Sequence, residues 1–168
     1  MSTSLYELTI PAFLRGFASL SAILEKGRLF AEAQGIDPAQ LLETRLFPDM
    51  GALAAQVQRA SDSAKGAAVR LGGVPNESFE DIETSFEQLQ ARIDRTVAFL
   101  QAVPRDAIDG KEEAAVTLKT PGREVHFTGR GYVLGFVLPN FYFHLTTAYA
   151  LLRHQGVPIG KLDYLGSA

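Results

Sequence analysis

The chain has 168 residues, 46% hydrophobic and 21% charged, with a formal net charge of -3 and no cysteine. That length and balance fit one domain, 1–168, with a sizeable core, and they exclude a largely disordered chain. Mixed charge without a basic stripe argues against nucleic acid as a partner, and the missing thiols exclude disulfides, thiolate metal sites and a cysteine nucleophile.

Met1-Ser2-Thr3-Ser4-Leu5 lacks the basic start and apolar core of a signal peptide. No uncharged apolar run reaches the ~18 residues of a bilayer span. A soluble cytoplasmic protein without a membrane partner is therefore expected.

The first helix is predicted over 11–34, with Thr9 as N-cap, Pro11 in the first turn and Gly35 as C-terminal cap. Phe13, Phe17, Leu20, Leu24, Gly27 and Ala31 draw one apolar stripe along it. Asp37-Pro38 restarts a short turn that buries Leu41 and Leu42. A second helix is predicted over 48–72, opened by Pro48 and Asp49 and closed by Gly72-Gly73. Leu53, Val57, Ala60, Ala64, Ala67 and Leu71 form its stripe, and Gln56 lies on the flank, where a half-exposed side chain is the plain expectation.

A third helix is predicted over 78–103, starting at a Ser78/Asp81 capping box, with Ile82, Phe86, Leu89, Ile93, Thr96 and Leu100 as its stripe and Pro104 as its stop. The period then changes to strand-like, predicting a two-stranded hairpin near 114–127 about Thr120-Pro121-Gly122-Arg123. The last helix is predicted over 130–155, with a kink or break where Pro139 removes a backbone donor. Gly156 closes it. The apolar tail from Val157 to Leu165 needs a surface, either the same domain or a second subunit.

On that last helix polar residues interrupt an apolar row at turn spacing. Asn140 and His144 lie one above the other, and Thr147 continues the row. Tyr142, Thr146 and Tyr149 surround it and could supply hydroxyls to a pocket, although filling core space is the simpler role for the tyrosines. His126 and His154 have plainer explanations, a hairpin side chain and a helix-end charge match. Lys65 reads as a solvated or snorkelling side chain rather than a catalytic amine. No nucleophile elbow, phosphate-cradling loop or paired-carboxylate motif is present.

Pro139-Asn140-Phe141-Tyr142-Phe143-His144, with Leu46-Phe47-Pro48-Asp49-Met50, Gln56-Val57-Gln58 and Gly156-Val157-Pro158-Ile159-Gly160-Lys161, resembles the DinB-like (YfiT-like) superfamily, in a branch described as a domain of unknown function. The resemblance covers nearly the whole chain. It implies an all-α, antiparallel four-helix bundle with a small hairpin before the last helix, and a homodimer. Members of the superfamily include metal-dependent thiol transferases, isomerases and proteins without assigned activity.

In metal-binding relatives three histidines hold a divalent ion. Matching the glycines at Gly51 and Gly156 places those positions at Gln56, Asn140 and His144, so a single imidazole remains. Amide oxygens are weak donors for zinc, nickel or iron, and Asp49 and Asp62 are the nearest carboxylates in sequence. No cofactor is therefore expected, with a weakly held divalent metal at Gln56, Asn140 and His144 as the alternative. The resemblance leads to a polar pocket in which Gln56, Asn140, His144, Tyr142 and Thr147 bind a small molecule at a degenerate metal site. The alternatives are a metal-dependent enzyme of the thiol-transferase or isomerase type, with His144 as the one plausible general base, and a dimerising structural module.

Overall fold

The first apolar stripe reaches further toward the N-terminus than Pro11 suggests. In a computed structural model describing residues 3–166, α1 spans Leu5–Gln34. Ser4, not Thr9, caps it: Ser4 Oγ accepts from Glu7 N–H while the Glu7 carboxylate accepts from Ser4 N–H. Pro11 sits inside the helix and is tolerated because Leu5, Ile10 and Phe13 are all buried, which outweighs one missing hydrogen bond. Thr9 turns its hydroxyl back to the Leu5 carbonyl at 2.7 Å. By length and composition α1 could cross a bilayer, yet half of that window, 50%, is buried inside the domain.

Helix α2 (Pro38–Leu42) is capped by Asp37 and buries Leu41 and Leu42, as its pattern predicts. Helix α3 (Leu53–Gly72) begins later than Pro48. The 43–52 segment is instead an irregular loop, held by Leu53 N–H to the Thr44 carbonyl, Met50 N–H to the Phe47 carbonyl and Arg45 on the Met50 carbonyl. Its apolar side chains Leu46 and Phe47 are exposed and find no partner to bury them as a helical face. From Leu53 onward the predicted stripe is buried throughout.

Helix α4 (Phe86–Gln101) is capped by Ser85, whose hydroxyl accepts from Gln88 N–H, so the Ser78 start is corrected and Ile82 is exposed at 69%. The reason is electrostatic. Arg92, buried at 2% exposure, donates to the Glu80 carbonyl and pairs with Asp62, Asp81 and Glu83, drawing residues 74–85 across α3 and α4 as an extended strap. Lys65 is not a solvated side chain: its ammonium donates to the Glu77 carbonyl at 2.7 Å and lies 3.4 Å from the Phe79 ring centroid. Burial lowers its pKa below the ordinary lysine value.

A short α5 (Arg105–Ile108) leads to β1 (Ala115–Thr120) and β2 (Arg123–Thr128), an antiparallel pair joined at Pro121-Gly122. Gly122 has φ 75°, the left-handed conformation that glycine reaches without strain. His126 faces Thr117 across the hairpin, beside Glu124, and His154 is exposed at the helix end.

The predicted break at Pro139 is absent. Helix α6 (Gly129–Tyr132), a π-helical turn (Val133–Val137) and α7 (Leu138–His154) run on with helical backbone angles. Leu138 N–H reaches the Val133 carbonyl, a wider step that makes room for the proline ring just after it. The tail folds back as α8 (Lys161–Leu165) onto α1, with Val157 and Ile159 buried. Thus the chain is mostly helical with one two-stranded antiparallel sheet among the described residues. α3 packs on α7 and α4, and α1 packs on α4 and α7. Phe141 fills the middle, its ring 4.9 Å from that of Phe13 and 5.3 Å from that of Phe17. Gly16 keeps α1 close to it, since a Cβ there would lie 2.6 Å from the Phe141 ring.

Candidate functional site

The contact between α3 and α7 brings Gln56 and His144 together although 88 residues separate them. Gln56 is 1% exposed, in place of the half-exposed flank that its position in the stripe suggests. Its Nε2 donates to the Gly51 carbonyl at 2.8 Å. A carbonyl can only accept, so this bond orients the amide and leaves Oε1 toward the His144 ring. His144 Nδ1 must then carry the proton, and it donates to Gln56 Oε1 at 2.8 Å.

The same bond determines what the other ring nitrogen can do. His144 Nε2 has no partner among the described residues and is not sealed from solvent, although the residue as a whole is 7% exposed. Burial, helped by the nearby Arg59 guanidinium, lowers the imidazole pKa from 6.5 to about 4. Near pH 7 the ring is neutral, with an outward lone pair on Nε2. Arg59 lies over Gly51, where a Cβ would meet its guanidinium at 2.6 Å, and the Phe143 ring stands edge-on to His144 at 5.3 Å.

The other predicted site residues disperse. Asn140 is half-buried one turn before His144, and its Nδ2 donates to Ser63 Oγ at 3.2 Å rather than to Gln56. Thr147 returns its hydroxyl to the Phe143 carbonyl at 2.7 Å. Tyr142 lies on the other side of α7, beside a groove under α8, and Thr146 bonds Tyr164 at 3.0 Å. Asp62 is held by Arg92, and Asp49 is exposed in the loop before α3. Two members of the neighbourhood escaped the sequence reading, Ser63 and Arg59. Ser63 stands two turns from Gln56 on the same face, so helical spacing could have found it; Arg59 is one turn away.

Long helices in this order, with a hairpin ahead of the last and a buried amide–imidazole pair between the second and last long helices, define a DinB-like domain. The crystal structure of a DinB family member protein from Shewanella denitrificans is similar, with 36% sequence identity and a TM-score of 0.86, over 98% of this chain and 93% of that one. The family described as Domain of unknown function (DUF1993) matches residues 5–165, and the chain belongs to it. No curated protein matches.

Proposed function

We propose that this DUF1993 protein is an antiparallel four-helix bundle that binds a small molecule where metal-binding relatives of the superfamily hold their ion. The observation that carries the reading is the His144–Gln56 bond, which leaves a neutral imidazole with Nε2 free as an acceptor. A ligand N–H or O–H would complete it. Gln56 and the Gly51 carbonyl then act as positioning groups, fixing the ring and its tautomer. Asn140 and Thr147 frame the same face of α7, while Tyr142 belongs to a different surface.

The donor set supports a metal-free site. Gln56 Oε1 faces the Nδ1 proton, Asn140 is bonded to Ser63, and the Asp62 carboxylate is paired with Arg92, which leaves one good ligand for a divalent ion. Among the described residues no group of three His, Cys, Asp or Glu side chains is placed to hold a metal ion. An imidazole with a pKa of about 4 is also a weak base at neutral pH, which favours a binding role over general-base catalysis. A two-fold dimer in the cytoplasm goes with this reading, supported by the exposed Phe47 and Phe143.

A fragment screen read at the His144 ring nitrogens tests the proposal. Binding fragments should move the Nε2 resonance while Nδ1 keeps its proton. A screen that leaves Nε2 unmoved, or purified protein carrying stoichiometric zinc or nickel, would refute it.

A further inference from the structure

Helix α8 does more than cover apolar surface. It is fastened by the Lys26–Asp163 ion pair, by the Thr146–Tyr164 hydroxyl bond and by the edge contact of Tyr149 with Tyr164 at 5.8 Å. Beneath it, bounded by α1 and α7, lies a groove of about 340 Å³. Leu145, Leu162 and Leu165 supply apolar walls. Four polar side chains line it as well: Arg15, Ser19, Tyr142 and Tyr164, the last already bonded to Thr146.

Ser19 is the telling one. It is 6% exposed, yet its hydroxyl has no partner among the described residues and is not sealed off, so it opens on the groove. A helical hydroxyl usually bonds the carbonyl one turn back, as Thr9 and Thr147 do in this chain, both at 2.7 Å. Arg15 stands one turn before Ser19 on the same face and makes no ion pair among the described residues. The carboxylate at the adjoining end of the groove, Asp163, is already engaged by Lys26 and by Gly160 N–H. The Tyr142 phenol likewise has no protein partner among the described residues.

We infer that this groove binds a small amphipathic carboxylic acid. The carboxylate accepts from Arg15, Ser19 and Tyr142, and the hydrocarbon part lies along Leu145, Leu162 and Leu165. A permanently charged guanidinium without a counter-ion among the described residues selects an anion, and two hydroxyl donors beside it suit the in-plane lone pairs of a carboxylate. The volume stands at the lower end of the range for small-molecule sites, which suits a short acyl or aryl chain. This site is separate from His144, which faces the other way on α7.

Octanoate titrated into the full chain, read by proton–nitrogen correlation spectra, tests the inference, with octanol as the uncharged comparator. Saturable shifts are expected at the amides of Gly16, Ser19 and Leu162 to Gly166. Octanol should bind about tenfold more weakly, and Arg15→Gln should weaken octanoate by about the same factor, the equivalent of one charge-assisted hydrogen bond. Ser19→Leu, which fills the groove from its floor, should abolish the shifts. Equal binding of octanoate and octanol, full affinity in Arg15→Gln, or absence of saturable shifts in the parent protein would each overturn the assignment.

Discussion

Acidification should destabilise this protein through one imidazole. In the unfolded chain His144 would titrate at its ordinary 6.5, whereas burial chiefly, and Arg59 secondarily, hold it at about 4 in the folded state. Between those values the unfolded chain binds more protons than the folded one, so stability rises with pH across that window. The contribution is fully present above pH 6.5 and is lost as pH falls through about 4. Each pH unit of the gap is worth about 1.4 kcal/mol, so the window carries roughly 3 kcal/mol of stability. That is a large share of the marginal stability of a domain this size. Urea unfolding of the parent and of His144→Gln, from about pH 7.5 to about pH 4, isolates the term, because the other titrating groups are common to both. Glutamine retains an amide that can donate to Gln56 Oε1. The difference in unfolding free energy between the two proteins should shrink by roughly 3 kcal/mol on acidification. A constant difference, or an NMR titration of His144 centred near 6.5, would refute the reasoning.

Gln56→Leu removes the acceptor for His144 Nδ1 and the donor to the Gly51 carbonyl; it should cost about 2–4 kcal/mol in chemical denaturation and let the imidazole mix tautomers, visible in its nitrogen spectrum. Arg92→Leu leaves Asp62, Asp81 and Glu83 without their common cation, so stability should fall by roughly 3 kcal/mol and hydrogen exchange should rise in the 74–85 strap before it rises in α1. Gly129→Ala would drive a Cβ into the Lys111 backbone carbonyl, where the Arg130 N–H bond to the Glu112 carbonyl joins α6 to the approach to the hairpin; a loss of about 1–3 kcal/mol is expected in thermal melts.

The apolar stripes were legible because each sums many residues. Phe13 through Ala31 and Leu53 through Leu71 are buried as their spacing predicts. Helix starts are less legible, because competing signals stand close together in the chain. Ser4 with Glu7, and Ser85 with Gln88, carry the capping-box pattern and open the helices, while Pro11, Pro48 and Ser78 match helix openings in type but not in place. The strap over residues 74–85 had no local signal, since its cause is Arg92 on the following helix. At the candidate site, His144 and Gln56 were legible as positions and not as a bonded pair. Which amide faces the imidazole depends on the relative axial placement of α3 and α7: Asn140 comes level with Ser63, and only Gln56 comes level with His144.

The π-helical turn at Val133–Val137 bears on how the chain could change in length. Such a turn accommodates an additional residue within a helix. Deleting any one residue there would let the segment close as ordinary α-helix, return the Pro139 ring to the carbonyl four positions back, and swing the hairpin by about 100° about the helix axis relative to the face that carries His144. Homologous chains shorter by that residue should therefore also lack the proline, the deletion being damaging where the proline is kept.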